Sequence, residues 1–504
     1  MNTFMKTMNQ VNNFAYTENG ALTHKTTGSK VLDLFGLGAA YRKRSDEDCI
    51  LLFKNAYEED PLLALKCLFY ISDCRGGQGE RRFFRVVFKW LCKNYPEVAL
   101  KNLEQIPVYR RWDDLIYATE GTRLEEPAFT LIKYQLNLDM QSKTPSLCAK
   151  WMPSQNASSK ETKRLGYKLA GFLKMTSKEY RKTLSILREK IKVLETLMSQ
   201  NRWDEIEFSK IPSKAGLIYK NAFAHKEVTA TRYKAFMESK TTKVNAGTLY
   251  PYEIVAKAIN RTSNWGWNYN NNDLSVIDRQ ALEKYWDNLP DELNNTSCNM
   301  ICVVDTSGSM CGSNIDAPIN IAISLGMYCA ERIRGPFKDH YISFSSKPSL
   351  IKIEGIDFVD KVRRIYHTNL CENTNIEAVF DLLLMVAKDS NVKKEDIPKI
   401  VTIISDMEID SGSTSNHYNR WTASTANTEM EKIRIKWAKE GYELPHLVYW
   451  NVDARHNNIL DAGHNVTFVS GASPTIFKSV ITGKTAMELC LDVLMSDRYK
   501  NITI

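Results

Sequence analysis

Residues 300–310 have the sequence MICVVDTSGSM, an apolar stretch that ends at Asp305 and is followed at once by Ser307 and Ser309. A second stretch, KIVTIISD at residues 399–406, also ends in an aspartate, Asp406. Short apolar runs of this kind are typical of strands buried on both faces of a parallel sheet. The carboxyl ends of such strands meet at one edge of the sheet, where ligands bind. The two aspartates are therefore predicted to lie side by side.

The sequence around these two stretches alternates between strand and helix patterns. Strands are predicted at residues 300–304, 340–344, 399–405, 446–451 and 466–470, and helices at residues 317–334, 375–388, 428–439, 473–481 and 485–494. Helices of about ten residues between strands specify βαβ units. The fold class predicted for this part is α/β, with a mostly parallel, doubly wound, Rossmann-like sheet.

The preceding part of the chain has apolar residues at helical spacing from residue 46 to residue 242. Short connections, such as Asp60-Pro61, Tyr95-Pro96 and Glu126-Pro127, place successive helices antiparallel to each other. This pattern predicts an all-α helical-repeat module of HEAT-like type, although the sequence has no strict period. The predicted organisation is a tail at residues 1–20, the helical module at 21–258, a linker at 259–296 with a helix near 278–288, the α/β domain at 297–495 and a tail at 496–504.

Composition excludes disordered, collagenous and coiled-coil proteins, since 43% of the 504 residues are hydrophobic and 25% are charged. The net charge of +8 is unevenly distributed along the chain. Residues 151–250 contain 20 Lys and Arg against 9 Asp and Glu, whereas residues 301–504 contain 22 against 25. A surplus of positive charge in one segment of the helical module predicts a surface that binds a polyanion.

The eleven cysteines are irregularly spaced, lie mostly in apolar runs and include no C-x-x-C pair. They are interpreted as buried free thiols of a reducing compartment, and a structural zinc site is not expected. The sequence has neither a signal-peptide pattern nor an apolar run of the roughly 18–20 residues that span a bilayer. A cytoplasmic protein without membrane contact is predicted.

The spacing D-x-S-x-S after a buried strand offers three hard oxygen ligands from one tight loop, which suits Mg²⁺ or Mn²⁺. Asp406 adds a carboxylate from a second strand, and Thr374, just before a predicted helix, adds a third hydroxyl. The alternative interpretation is that these residues only cap a helix and form a turn.

These residues resemble the metal-ion-dependent adhesion site of a von Willebrand factor type A domain. The set consists of Asp305, Ser307, Ser309, Thr374 and Asp406. The resemblance implies that the serines and the threonine bind the cation directly, that the aspartates often act through water, and that an acidic group of a partner completes the shell. The glycine pair usual before the family's threonine is replaced here by Glu372-Asn373.

The helical part is similar to the TROVE module, the helical-repeat ring of the Ro autoantigen, which binds small structured and misfolded RNAs and is likewise followed by a type A domain. The similar segments are residues 70–83, 109–115, 175–181, 211–215 and 245–247. Residues 404–410 and 448–451 resemble sequence motifs of an uncharacterised TROVE-like group from plants, microbes and large viruses. The resemblance covers residues 20–495 and implies an RNA-binding protein.

Candidate RNA-binding residues follow from the basic segment and from a glycine turn at residues 75–79. They are Arg75, Arg81, Arg82, Lys168, Lys174, Lys178, Arg181, Lys182, Lys214 and Lys220. Aromatic residues interleaved with them, Tyr180, Tyr219, Phe223 and Tyr233, are predicted to offer stacking faces for bases. The alternatives are that the lysine-rich helices are merely solvated, that residues 75–85 form a connector whose Glu80 pairs with arginines, and that residues 112–114 order a loop.

The sequence lacks known catalytic patterns such as H-E-x-x-H, G-x-S-x-G and a nucleotide-binding loop, so an enzyme is not expected. The predicted function is binding of small structured or single-stranded RNA, but not DNA, with the metal site contacting an acidic partner or the other domain. Two alternatives remain open: a protein-interaction scaffold of a virion or of host interaction, which binds no RNA, and a metal-dependent RNA-processing enzyme.

Overall fold

The structure is a computed structural model that describes residues 12–259, 274–293, 298–345, 347–368, 374–389, 392–410, 428–460 and 465–504. Within these residues a helical module precedes an α/β domain, which confirms the predicted fold class. The predicted linker at residues 259–296 lies partly outside the described residues, but its predicted helix is present at Val276–Asp287.

The helical module begins with an antiparallel strand pair, β1 (Phe14–Tyr16) and β2 (Leu22–His24). The helices that follow are α1 Lys30–Leu37, α2 Asp46–Glu59, α3 Pro61–Ser72, α4 Arg81–Asn94, α5 Pro96–Lys101, α6 Ile106–Tyr109, α7 Asp113–Thr119, α8 Glu125–Gln141, α9 Cys148–Trp151, α10 Lys160–Phe172, α11 Ser177–Lys190, α12 Leu194–Ser199, α13 Ser213–His225, α14 Glu227–Glu238, α15 Pro251–Ile259 and α16 Val276–Asp287.

Local sequence explains where several of these helices begin. The Asp60 side chain accepts a hydrogen bond from Leu63 N at 2.8 Å, and Pro61 takes the first helical position, where no N–H is needed. Thr176 and Glu179 form a reciprocal capping box at the start of α11. The connections predicted at Asp60-Pro61 and Tyr95-Pro96 are therefore confirmed, whereas the one predicted at Glu126-Pro127 is wrong, because α8 already begins at Glu125.

The α/β domain contains a six-stranded sheet in the order β5-β4-β3-β6-β7-β8. Its strands are β3 Met300–Asp305, β4 His340–Phe344, β5 Leu350–Lys352, β6 Ile400–Ser405, β7 His446–Asn451 and β8 Val466–Ser470, and its helices are α17 Pro318–Arg332, α18 Phe358–Thr368, α19 Ile376–Asp389, α20 Glu429–Lys439, α21 Phe477–Val480 and α22 Ala486–Leu494. All neighbouring strands are parallel except the edge pair β4 and β5. The sequence did not predict β5, because three largely exposed residues carry no buried-strand pattern.

The strand order fixes where a ligand site can form. The chain passes from β3 outward through β4 to β5 and then returns to the other side of β3 to start β6. Strand order thus reverses between β3 and β6, the switch point at which open α/β sheets bind ligands. Asp305 ends β3, and Asp406 follows β6, so both aspartates lie at this switch point.

Segments near both ends of the described chain make contacts between the helical module and the α/β domain. Residues 17–24, which overlap the end of the predicted N-terminal tail, hydrogen bond to residues 408, 409 and 459 of the α/β domain. At the other end, the buried Tyr499 donates a hydrogen bond to Asp73 Oδ2 at 3.0 Å in the helical module. Residues 17–20 and Tyr499, which fall in the segments predicted as tails, therefore connect the two parts in the structure.

Two further sequence predictions concern thiols and membranes. Ten cysteines lie in the described residues, and all are free; seven are buried, Cys298 and Cys311 are half-buried, and Cys74 is exposed. Cys371 lies outside the described residues. Among the described helices, none combines the length and the apolar character needed to cross a membrane.

Candidate metal centre and basic surface

Asp305 is fully buried at the end of β3, and the loop that follows folds back onto its carboxylate. Ser405 Oγ donates to Asp305 Oδ2 at 2.5 Å, and Ser307 N donates to Asp305 Oδ1 at 2.9 Å. The hydroxyl oxygens of Ser307 and Ser309 lie 3.1 Å apart, so the D-x-S-x-S loop gathers its polar groups as predicted.

Asp406, which is 1% exposed, lies beside this loop and interacts with both Ser309 and Asp305. Burial, followed by the charge of Asp406, raises the pKa of Asp305 to about 7. Burial also raises the pKa of Asp406, although the guanidinium group of Arg455, with Nη2 at 2.9 Å from Asp406 Oδ2, opposes the shift. The two carboxylates are close enough to repel each other, as expected for the ends of neighbouring strands.

Thr374 lies in the same region but makes a different contact. It is 1% exposed, and its hydroxyl donates to the backbone oxygen of Glu408 at 3.1 Å. Its own backbone oxygen accepts a hydrogen bond from Asp410 N at 3.0 Å. The structure therefore brings together Asp305, both serines and Asp406, whereas the Thr374 hydroxyl is directed to the loop after β6. The replacement pair Glu372-Asn373 lies outside the described residues.

The donor set fits a small divalent cation. Its atoms are carboxylate and hydroxyl oxygens, the ligands that Mg²⁺ and Mn²⁺ prefer. Three carboxylates in this region are at most 1% exposed, those of Asp305, Asp406 and Glu408. The positively charged guanidinium group of Arg455 pairs with Asp406. Burying several carboxylates with so little positive charge is costly. Burial and then the like charge of Asp406 raise the pKa of Asp305, and a divalent cation at this position would offset both costs.

Two residues at this site were missed by the sequence analysis, Arg455 and Glu408. Arg455 follows the end of β7, the next strand in the sheet after β6. Ligands bind at the carboxyl ends of parallel strands, and this principle applies to β7 as it does to β3 and β6. Glu408 belongs to the same loop as Asp406, but its burial depends on residues far away in the sequence.

Half of the predicted RNA-binding cations are neutralised by acidic neighbours. Arg81 Nη2 lies 3.0 Å from Asp114 Oδ1 and 3.2 Å from Asp113 Oδ2. Similar pairs join Arg82 to Asp46, Lys168 to Glu125, Lys214 to Glu253 and the buried Lys220 to Asp278. Each of these five pairs connects two helices of the module.

The other five predicted cations, Arg75, Lys174, Lys178, Arg181 and Lys182, are exposed. Four of them form what we call the cationic face, consisting of Lys174 in the turn before α11 and Lys178, Arg181 and Lys182 on that helix. The opposite face of α11 buries Tyr180, Leu184 and Leu187. Among the described residues, no acidic side chain forms an ion pair with the cationic face.

The prediction that interleaved aromatic residues offer stacking faces is wrong for most of them. Tyr180, Phe223 and Tyr233 are at most 2% exposed, and Tyr219 is half-buried against the core. Aromatic residues at helical spacing fill the inward face of each helix, which explains the error. Tyr167 of α10, which is 54% exposed, is instead an available aromatic side chain near this region in sequence.

Residues 112–114 have the ordering role that the sequence analysis offered as an alternative. Asp114 is 1% exposed and contacts Arg81, Arg85 and Arg110. Burial alone raises the pKa of a carboxyl group, but these guanidinium groups hold the pKa of Asp114 well below its ordinary value. Glu80 likewise caps α4 through Arg82 N and pairs with Arg42 at 3.1 Å.

Comparisons with known proteins match the chain to two family models, to a viral protein and to a solved structure. The model of a domain of unknown function (DUF2828) matches residues 17–119 and 131–298, and that of another domain of unknown function (DUF7788) matches residues 299–498. The chain is 28% identical to the uncharacterized protein L728 of Acanthamoeba polyphaga mimivirus, over 96% of this chain and 87% of that protein. The crystal structure of the Deinococcus radiodurans Ro (RSR) protein is similar with a TM-score of 0.41 and 14% identity, covering 93% of this chain and 96% of that one.

Proposed function

The chain belongs to the family described as a domain of unknown function (DUF2828), whose model matches more than half of it, and we propose that this member is an RNA-binding protein. Its motifs, and its architecture of a helical module followed by a type A-like domain, are TROVE-like. The observation that carries the proposal is the cationic face, where Lys174, Lys178, Arg181 and Lys182 are exposed without acidic partners among the described residues. Elsewhere in the basic segment, neighbouring carboxylates pair with Arg164, Lys168, Arg202, Lys210, Lys214, Lys220 and Lys234.

The geometry of the cationic face suits a phosphate backbone. Arg181 and Lys182 lie three and four residues after Lys178 on α11, so the side chains of all three project from one side of the helix. Cations placed in this way neutralise phosphates and release counterions, which favours binding in a salt-dependent manner. The exposed Tyr167 of α10 supplies a ring on which an unpaired base stacks. The RNA class proposed is small structured or single-stranded RNA.

The proposed role of the metal centre is contact with a partner or with the other domain, and not catalysis. Asp305, Ser307, Ser309 and Asp406 hold Mg²⁺ or Mn²⁺ in this proposal, with Thr374 as a further ligand after a local rearrangement. The bound cation supplies an electrophilic centre that an acidic side chain can ligate. The free thiols fit a reducing compartment, and we place the protein in the cytoplasm.

RNA binding is tested by a gel shift with a small structured RNA and with a single-stranded oligonucleotide over a series of salt concentrations. The variant combines Lys174→Ala, Lys178→Ala and Arg181→Ala. Its affinity is expected to fall, and the slope of log affinity against log salt is expected to decrease by about 2 to 3, because up to three phosphate contacts are lost. The matched control combines Lys338→Ala, Lys347→Ala and Lys394→Ala, three exposed lysines of the type A-like domain, and retains binding.

Wild-type affinity weaker than about micromolar at low salt, or equal binding by the triple variant, contradicts RNA binding through this face and favours a protein-interaction scaffold. Cleavage of the RNA on addition of Mg²⁺ identifies a metal-dependent nuclease instead. For the metal centre, calorimetric titration with Mg²⁺ and Mn²⁺ is expected to show binding by the wild type and none by Asp305→Ala. Equal binding by this variant contradicts the ligand assignment.

A further inference from the structure

The hairpin formed by β1 and β2 is held on the type A-like domain next to the metal centre. Thr17 Oγ1 donates to the backbone oxygen of Ile409 at 2.7 Å, and Asn19 Nδ2 donates to that of Glu408 at 2.7 Å. On the other strand, His24 and Ile459 exchange a pair of backbone hydrogen bonds of 2.9 and 3.0 Å. These contacts fix the position of Glu18, which lies in the turn between the two strands.

Glu18 meets two metal-ligating side chains from distant parts of the chain, Glu408 and His456. The Nδ1 atom of His456 lies 2.8 Å from Glu408 Oε1 and 3.7 Å from Glu18 Oε1. One ligand atom from each of the three residues falls within 4.8 Å of the others. The Glu408 side chain is 1% exposed, whereas Glu18 and His456 are 42% and 52% exposed, so the cluster is anchored inside and open to solvent.

Each carboxylate directs one oxygen to the imidazole because its other oxygen is already engaged. Glu18 Oε2 pairs with Arg455 Nη1 at 2.6 Å, and Glu408 Oε2 accepts the backbone N–H of Glu18 at 2.7 Å. The two Oε1 atoms therefore converge on the same ring nitrogen. Two carboxylate oxygens and an imidazole nitrogen are the ligand types that Zn²⁺ and related transition metals prefer.

The charge around the cluster also favours a cation. Arg455 pairs with both Asp406 and Glu18, and its charge also acts on the buried Glu408, so one guanidinium group serves three carboxylates. A buried carboxylate without a matching positive charge is costly. A divalent cation bound by Glu18, Glu408 and His456 supplies positive charge next to the carboxylates and binds all three side chains at once.

We propose that Glu18, Glu408 and His456 form a second cation site, selective for zinc-class transition metals, which clamps the N-terminal hairpin to the type A-like domain. It differs from the centre at Asp305 in its imidazole ligand, which Mg²⁺ does not favour. Solvent water occupies the remaining coordination positions. This site is independent of RNA binding and uses none of the proposed ligands of the first centre, although Arg455 lies between the two sites and pairs with Asp406 and Glu18.

The test uses the full-length protein, stripped with a chelator and returned to excess Mg²⁺ so that the first centre is saturated. Zn²⁺ binding is followed by calorimetry, Co²⁺ binding by visible absorption, and the order of residues 14–24 by hydrogen exchange. Wild type is expected to bind one zinc at this site and to protect these residues on binding. His456→Ala and Glu18→Gln are expected to weaken binding by more than about tenfold and to abolish the added protection.

Two controls separate this site from other causes. His225→Ala removes an exposed histidine of the helical module and is expected to bind zinc as wild type does. Asp305→Ala is expected to lose the Mg²⁺ centre and to keep the zinc site. Unchanged zinc affinity and stoichiometry in His456→Ala overturn the proposal, as does a zinc-bound wild type whose residues 14–24 exchange as fast as in the metal-free protein.

Discussion

Asp114 in the helical module and Asp305 in the type A-like domain are both buried carboxylates, but their surroundings carry opposite charge. Asp114 lies among three arginines, which hold its pKa well below the ordinary value against the effect of burial. Asp305 lies beside Asp406, and burial together with this like charge raises its pKa to about 7. The first carboxylate is paired with arginines within the fold and stabilises it, whereas the second lies beside a like charge that the proposed cation would neutralise.

The largest expected effect is on the matched carboxylate. Asp114→Ala leaves Arg110, whose side chain is 1% exposed, buried without a counter-charge. Breaking a buried ion pair in this way is expected to lower the free energy of unfolding by about 3 to 5 kcal/mol. Denaturant titration measures the change, and Asp396→Ala, at an exposed aspartate, serves as the control. An equal, small change in both variants contradicts the role of Asp114 as the counter-charge of Arg110.

The same carboxylate predicts how stability depends on acid. Because the pKa of Asp114 is lowered in the folded protein, its contribution is present above the ordinary value of 3.8 and is lost as the pH falls below it. The expected slope from this one group is up to about 1.4 kcal/mol per pH unit. Unfolding curves of wild type and Asp114→Asn between about pH 5 and pH 3 measure it, and the variant should show the shallower loss.

A smaller effect is expected where the end of the chain returns to the helical module. Arg498 Nη2 donates to Asp73 Oδ1 at 2.7 Å, and Asp73 is fully buried. Arg498→Ala leaves the carboxylate with Tyr499 and Arg75 N as donors, so the free energy of unfolding should fall by about 2 kcal/mol. Lys500→Ala, two residues away on the surface, is the control for denaturant unfolding. A loss as small as that of the control contradicts a structural role for this pair.

The smallest expected effect on stability is at Asp305, the carboxylate that lies beside another carboxylate. In the presence of a chelator, Asp305→Asn removes a like charge beside Asp406 but also weakens one hydrogen bond. These changes offset each other, so the free energy of unfolding should change by less than about 1 kcal/mol. Adding Mg²⁺ should then raise the midpoint of thermal unfolding of wild type and leave that of Asp305→Asn unchanged. A large loss of stability without metal contradicts the interpretation.

The sequence predicted those parts of the fold that depend on short-range pattern. Apolar runs located β3, β6, β7 and β8, and the aspartates after two of these strands were placed correctly because strand ends share one edge of a sheet. Proline and capping residues located helix starts such as Pro61. The short edge strand β5 was missed because its residues are few and largely exposed.

The parts that could not be predicted depend on contacts between distant residues. Lys220 and Lys214 look like free cations in the sequence, but Asp278 and Glu253 reach them only after the helices pack. Arg455 and Glu18 come together across the whole chain by the same kind of long-range packing. Net charge along a segment therefore located the basic region but did not show which of its cations are paired with carboxylates in the fold.

The hairpin at the start of the chain has a consequence for synthesis. Thr23 hydrogen bonds to the backbone oxygen of Ile459, 436 residues later. At roughly 5 to 20 residues per second, the ribosome exposes the N-terminal strands on the order of half a minute before their binding surface exists. Their docking is therefore a late event that follows translation, and a nascent chain stalled before residue 459 presents a segment that chaperones and proteases can reach.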